Sequence, residues 1–114
     1  MGLSYFGKSF SVAPQIAPFS ISDEPANWGE AVSSVCTVGK GDLPIEVSWA
    51  LNGVPITKEN YGDISIASSS KRVSLLTIEA ASPRHAGEYT CTASNAAGAT
   101  SYSATLAVNG TGIA

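Results

Sequence analysis

A chain of 114 residues suits one domain with a core of ordinary size. Only 13% of the residues are charged, the net charge is −3 and no basic run exists, which sets nucleic acid aside as a partner. No apolar run approaches membrane-spanning length, and abundant Ser, Thr, Ala, Val and Gly with frequent Gly or Pro favour many short strands joined by turns.

Residues 1–11 lack the continuous apolar stretch of a secretory signal, so residues 1–13 are expected to be a linker or an artificially appended piece of a chain cut from a larger one. The alternative is a real extra strand, because Tyr5, Phe6 and Phe10 are apolar. The domain is expected over 14–108, with 109–114 as a tail toward a following domain. Pro14 and Pro18 suggest an edge strand that breaks and changes sheets, an A/A′ arrangement, with Phe19 and Ile21 inward. Pro25, Asn27 and Gly29 signal a turn over 24–29.

Strand B is expected over 30–38. Counting by two from Cys36 turns Val32, Ser34 and Val38 inward and Ser33, Val35 and Thr37 outward. Ser34 is small for its place; either a neighbouring side chain fills the space or the outward face of B is itself covered. Strand C, 45–51, places Ile45, Val47, Trp49 and Leu51 on one face, and Asn52-Gly53 predicts a tight hairpin into a short C′ over 54–56. The few residues before strand D leave no room for a C″ strand. Strand D, 63–67, has Ile64 and Ile66 inward; Ser68-Ser69-Ser70-Lys71 is read as the turn into strand E, 72–79. There Leu76 and Ile78 point inward and Val73, Leu75 and Thr77 outward. A corner over 82–87, strand F over 88–94, a turn at Asn95-Ala96-Ala97-Gly98 and strand G over 99–108 complete the chain.

Cys36, Trp49 and Cys91, with Tyr89 two residues before the second cysteine, have the spacing of an immunoglobulin sandwich. One cysteine would sit on the inner face of each sheet, the indole would pack on the bond between them, and Tyr89 would turn its hydroxyl back onto the corner backbone. Such a bridge closes a long loop and is worth roughly 4 kcal/mol in the chain-entropy model. It implies an oxidising compartment, outside the cell or in a secretory lumen. The competing reading is two free buried thiols.

Leu76-x-Ile78, Ala86-Gly87-x-Tyr89-x-Cys91 and Ala93-x-Asn95-x-x-Gly98 resemble the E–F–G signature of an intermediate-set (I-set) immunoglobulin domain. The resemblance implies an all-β Greek-key sandwich with sheets A-B-E-D and A′-G-F-C-C′. His85 departs from it: members of the set usually carry an aspartate there, paired with an arginine at the base of strand D, so that ion pair is expected to be missing. A narrower set of runs, among them Ala17-Pro18-Phe19, Glu24-Pro25-Ala26-Asn27, Lys40-Gly41-Asp42-Leu43-Pro44 and Arg84-His85-Ala86-Gly87, is similar to arthropod Down syndrome cell adhesion molecules. Within that family it looks most like the alternatively spliced seventh immunoglobulin domain, or the first domain of shortened chelicerate relatives. The resemblance implies an extracellular recognition module of a cell-surface receptor ectodomain, whose variants bind themselves and serve neuronal, and in arthropods immune, recognition. It implies partners in a second copy and in neighbouring immunoglobulin domains, with no direct membrane contact.

Catalysis finds little support in the residues. His85 is the one histidine, in a corner with no nucleophile, carboxylate and oxyanion hole brought together by the strand order. One histidine and two bridged cysteines cannot hold zinc, and Asp23, Glu24, Asp42 and Asp63 lack the dense spacing of a calcium loop. No cofactor, metal or catalytic residue is therefore expected. Three readings remain: a homophilic adhesion module, an inert spacer, or a heterophilic receptor for a soluble or microbial ligand. The outer face of A-B-E-D discriminates them. Ser33, Val35, Thr37, Ser65, Val73, Leu75 and Thr77 count onto it, where a spacer would carry charges. A one-residue register slip would turn these side chains inward. Trp28, in the A–B turn, is a second candidate contact. Asn109-Gly110-Thr111 is a candidate glycosylation sequon.

Overall fold

The computed structural model describes residues 11–22 and 24–109. Their strands are β1 (Gln15–Ile16), β2 (Ala26–Asn27), β3 (Val32–Lys40), β4 (Glu46–Leu51), β5 (Val54–Pro55), β6 (Ile64–Ser70), β7 (Val73–Ile78), β8 (Gly87–Asn95), β9 (Gly98–Leu106) and β10 (Val108–Asn109). One sheet has the order β1-β3-β7-β6 and the other β5-β4-β8-β9, which are the expected A-B-E-D and C′-C-F-G. The four-strand sheets pair antiparallel throughout.

Alternation dictates the packing. Along β3 the even-numbered Val32, Ser34, Cys36 and Val38 are buried, and along β7 so are Ser74, Leu76 and Ile78. From the facing sheet come Trp49, Leu51, Tyr89, Cys91, Ala93 and Leu106. The Cys36–Cys91 disulfide joins the sheets across 55 residues of chain, with Cα atoms 6.4 Å apart. Trp49 lies directly opposite Cys91 on the neighbouring strand. Its Nε1–H donates to Ser74 Oγ at 2.9 Å, so the one polar atom of the indole is satisfied inside the core.

Ser34 is small because the chain after β1 crosses over it. Its hydroxyl donates to the Ser20 carbonyl at 2.9 Å. Phe19, one residue earlier, packs against the core, with its ring centroid 5.6 Å from Trp49 and 4.9 Å from Tyr102.

Several expectations need correction. Among the described residues, no strand near Pro18 changes into the second sheet; Ala26–Asn27, inside the expected turn, instead pairs in parallel with Val108–Asn109 as a separate two-stranded sheet. β6 runs through Ser70, because an irregularity between Ser68 and Ser70 keeps the serine run paired with β7; only Lys71 and Arg72 turn. Ile66 shares the inward parity of buried Ile64 yet is 41% exposed. It lies on the edge strand, and the facing sheet ends there in the two residues of β5, too short to cover it. The expected linker and its alternative, an extra strand around Tyr5, Phe6 and Phe10, fall almost wholly outside the described residues, as do Asp23 and most of the sequon.

The ion pair expected to be missing is present with its charges exchanged. Asp63 stands at the base of β6, where a basic residue was looked for. Its Oδ2 accepts from Arg84 Nη1 and, at 2.8 Å, from His85 Nε2. His85 is buried in the short 3-10 turn Pro83–His85. Its Nδ1 accepts the Ser82 backbone N–H at 3.0 Å, and a backbone N–H can only donate, so the ring proton belongs on Nε2, facing the carboxylate. The Arg84 guanidinium beside Asp63 is the main cause holding that carboxyl below its usual range.

Candidate recognition face

The corner just described holds the sequence's one histidine, and a roomy groove lies elsewhere. That groove, about 790 Å³, opens on the flank between β4 and the β6–β7 turn, walled by Ile45, Val47 and Ser68, with Lys71 as its one ionisable residue. A lone amine without an acid, base or nucleophile opposite it assembles no acid–base or nucleophilic chemistry. Among the described residues, no three His, Cys, Asp or Glu side chains gather as metal ligands, and no helix is long and apolar enough to cross a membrane.

The sheets differ in their outer faces. On β1-β3-β7-β6 the register aligns three rows across the sheet: Ser33–Thr77–Ser65, Val35–Leu75–Ala67 and Thr37–Val73–Ser70. The odd-numbered residues of β3 and β7 point away from the core, since their even neighbours are buried. Val35 is 42% exposed; Leu75, Val73, Thr37 and Thr77 are half-buried by one another; Ser33 and Ser65 are exposed. All seven residues singled out from the sequence therefore lie on one side of one sheet, around an apolar row that holds no charge. Arg72, just before β7, has the inward parity of Ser74 and Leu76. Its guanidinium donates to the Val38 and Gly41 carbonyls at 3.3 and 2.8 Å. Ala67 belongs with the seven, and the count along β6 beyond Ile64 and Ser65 would have found it.

The outer face of β5-β4-β8-β9 is a ladder of hydroxyls. Thr90 Oγ1 and Ser103 Oγ are 2.7 Å apart and Thr92 Oγ1 and Ser101 Oγ 2.9 Å, each pair bonded across adjacent strands. Ser48 and Ser94 extend it, flanked by Glu46 and Glu88. Hydroxyls bonded to one another, with water outside, suit a solvated face.

Trp28 lies outside both faces, 49% exposed at the turn after β2. Asn109 is exposed, and its Nδ2 donates to Asn27 Oδ1.

A family model described as an immunoglobulin domain matches residues 13–95. The cell adhesion molecule Dscam1 of Drosophila melanogaster is 43% identical over 98 residues, which are 86% of this chain and 5% of that protein. The chain thus spans about 5% of the length of this curated relative. A crystal structure of the Dscam1 Ig7 domain, isoform 5, superposes with a TM-score of 0.81 at 41% identity, covering 85% of this chain and 97% of that one. A structure of the N-terminal eight Ig domains of DSCAM isoform 1.30.30 matches with a TM-score of 0.78 at 38% identity, covering 86% of this chain and 12% of that one.

Proposed function

Since this chain belongs to the immunoglobulin-domain family and resembles the Dscam-like members of it, we propose that it is an extracellular recognition module of a cell-adhesion receptor and binds a second copy of itself through the outer face of β1-β3-β7-β6. The observation that carries this reading is the uncharged row Val35–Leu75–Ala67, on the one sheet whose outer side is neither charged nor closed into a hydroxyl ladder. In a two-fold contact a residue near the axis meets its own copy, so charge there repels itself and neutral side chains are favoured. Antiparallel apposition of two such faces sets apolar row on apolar row and hydroxyl row on hydroxyl row. Burying a leucine or valine contributes about 1.5–3 kcal/mol before ordering costs are subtracted. The same geometry accounts for discrimination among variants: one charge or bulk change near the axis counts twice in a matched pair and meets a misfit in a mismatched one. The domain is a binding unit without an enzymatic role, and the spacer reading leaves the neutral row unexplained.

The test is sedimentation at several concentrations, of the chain and of its parent ectodomain. Wild type is expected to dimerise; Val35→Asp and Leu75→Asp are expected to weaken association from several-fold to about a hundred-fold while remaining folded. Undiminished association of the folded variants would move the contact to the opposite sheet. A wild type that stays monomeric in both contexts would favour the spacer.

A further inference from the structure

Trp28 is not used by the recognition face, and the turn that presents it is fixed on both sides. Glu30 Oε1 accepts the Asn27 backbone N–H at 2.7 Å. The Gly29 N–H donates to the Ala81 carbonyl at 2.7 Å, and the Ala81 N–H donates back to the Glu30 carbonyl at 2.8 Å. Ahead of it, Ala26 N–H donates to the Ala107 carbonyl at 2.9 Å, and β2 is zipped in parallel to β10. A large aromatic held on so constrained a backbone gives up little further freedom when covered, which is the condition that makes tryptophan a contact anchor. Asn27 and Glu30, beside it in the chain and bonded to one another, and Asn109, bonded to Asn27, are exposed polar residues, polar groups flanking one exposed apolar side chain.

The partner of this turn is the last described strand, so Asn109 lies beside Asn27, the residue before the tryptophan. The solved DSCAM relative is a run of eight Ig domains, of which a match to this chain covers 12%. We propose that Trp28 is the anchor on which the immunoglobulin domain following this one in its parent chain docks. The proposal rests on reading the chain as one module of a tandem array and is independent of the self-association face. Size decides between a following domain and a second copy. A tryptophan buries on the order of 150–250 Å², well short of the ~800 Å² per partner of a stable contact between free molecules. A tethered domain is present at high effective concentration, so a single anchor suffices to bias its angle.

Hydroxyl-radical footprinting read by mass spectrometry tests this, because it reports on Trp28 separately in a chain with other tryptophans. In the 114-residue chain Trp28 is expected to oxidise rapidly and the buried Trp49 slowly. In the parent ectodomain Trp28 oxidation should fall several-fold, and deletion of the following domain should restore it. Trp28→Ser should leave the unfolding midpoint of the 114-residue chain unchanged and, in the ectodomain, broaden the distribution of interdomain distances in small-angle scattering. Leu75→Asp, which disrupts the self-association face, should leave the Trp28 protection in place, so the two readings fail separately. Equal oxidation in the chain and the ectodomain would overturn the proposal. So would protection that grows with protein concentration, since that assigns Trp28 to a contact between copies.

Discussion

The hydroxyl of Tyr89 donates to the His85 carbonyl at 2.6 Å from a fully buried position, and burial pushes its ionisation well above the usual range, so it remains a donor. Tyr89→Phe keeps the ring and leaves that carbonyl without its partner. The expected cost is about 1–3 kcal/mol, read as a lower urea midpoint at unchanged slope. The carboxylate paired with the same corner, Asp63, carries a pH signature. Asp63 has its folded pKa lowered from 3.8, chiefly by Arg84. A depressed carboxylate stabilises the fold above its unfolded pKa, and that contribution is lost as pH falls through the folded value. Wild type should therefore lose stability faster than Asp63→Asn in titrations below about pH 4, and the two curves should converge in strong acid. Asp63 and Arg84 are each about half-exposed, so solvent screening keeps the difference to about 1 kcal/mol or less. Curves that stay parallel through the acid range would remove Asp63 from the corner. This pair is illegible in the sequence because the motif fixes which positions pair and not which of them carries the acid. His85 stands where an acid is expected, yet the acid stands 22 residues away at the base of β6 and the base beside His85, so the attraction survives with its ends exchanged.

At the scale of elements, the E–F corner is locked to the C–C′ hairpin by one contact that admits only glycine. Asn52 and Gly53 hold positive φ of 51° and 82°, as the Asn-Gly pair predicts. The turn aims the Asn52 side chain at the start of β8, where its Oδ1 accepts the Glu88 N–H at 2.9 Å. Gly87 has a φ of 144°, and a Cβ there would lie 2.5 Å from the Asn52 amide. Gly87→Ala meets both penalties and should cost about 1–3 kcal/mol. Asn52→Gly gives up the Glu88 bond but relieves the clash and leaves the strain, so Gly87→Ala should cost less in the Asn52→Gly background than in wild type in thermal unfolding; an equal cost, or none, would contradict this account. The registers of β3 and β7 were legible because Cys36 fixes the parity of one and the Leu76–Ile78 pair that of the other. What period-two counting could not supply was coverage. Ile66 has the right parity and no neighbour above it, and Ser34 has a small side chain because Ser20 crosses there, a contact spanning 14 residues. The serine run after Ala67 carries turn chemistry, yet pairing with β7 prevails through Ser70.

For the whole molecule, the separation of charge from the neutral face predicts how salt acts on self-association. Each copy carries a net charge of −3, so two copies approach against a weak mutual repulsion. The rows that would meet hold no ionisable side chain, so no attractive ion pair forms across the contact to be screened. Raising ionic strength shortens the reach of charge from ~10 Å at 0.1 M to ~3 Å at 1 M. Screening then removes the repulsion and leaves the apolar attraction, so association should hold steady or tighten slightly from low to high salt. A contact steered by opposite charges does the reverse and weakens steeply. Sedimentation of wild type across that range, with Leu75→Asp alongside, separates the cases. The variant places two like charges near the axis, so its weakened association should recover partly as salt rises. Wild-type dimers that dissociate with salt would locate the contact on charged residues outside the Val35–Leu75–Ala67 row and overturn the assignment of that face.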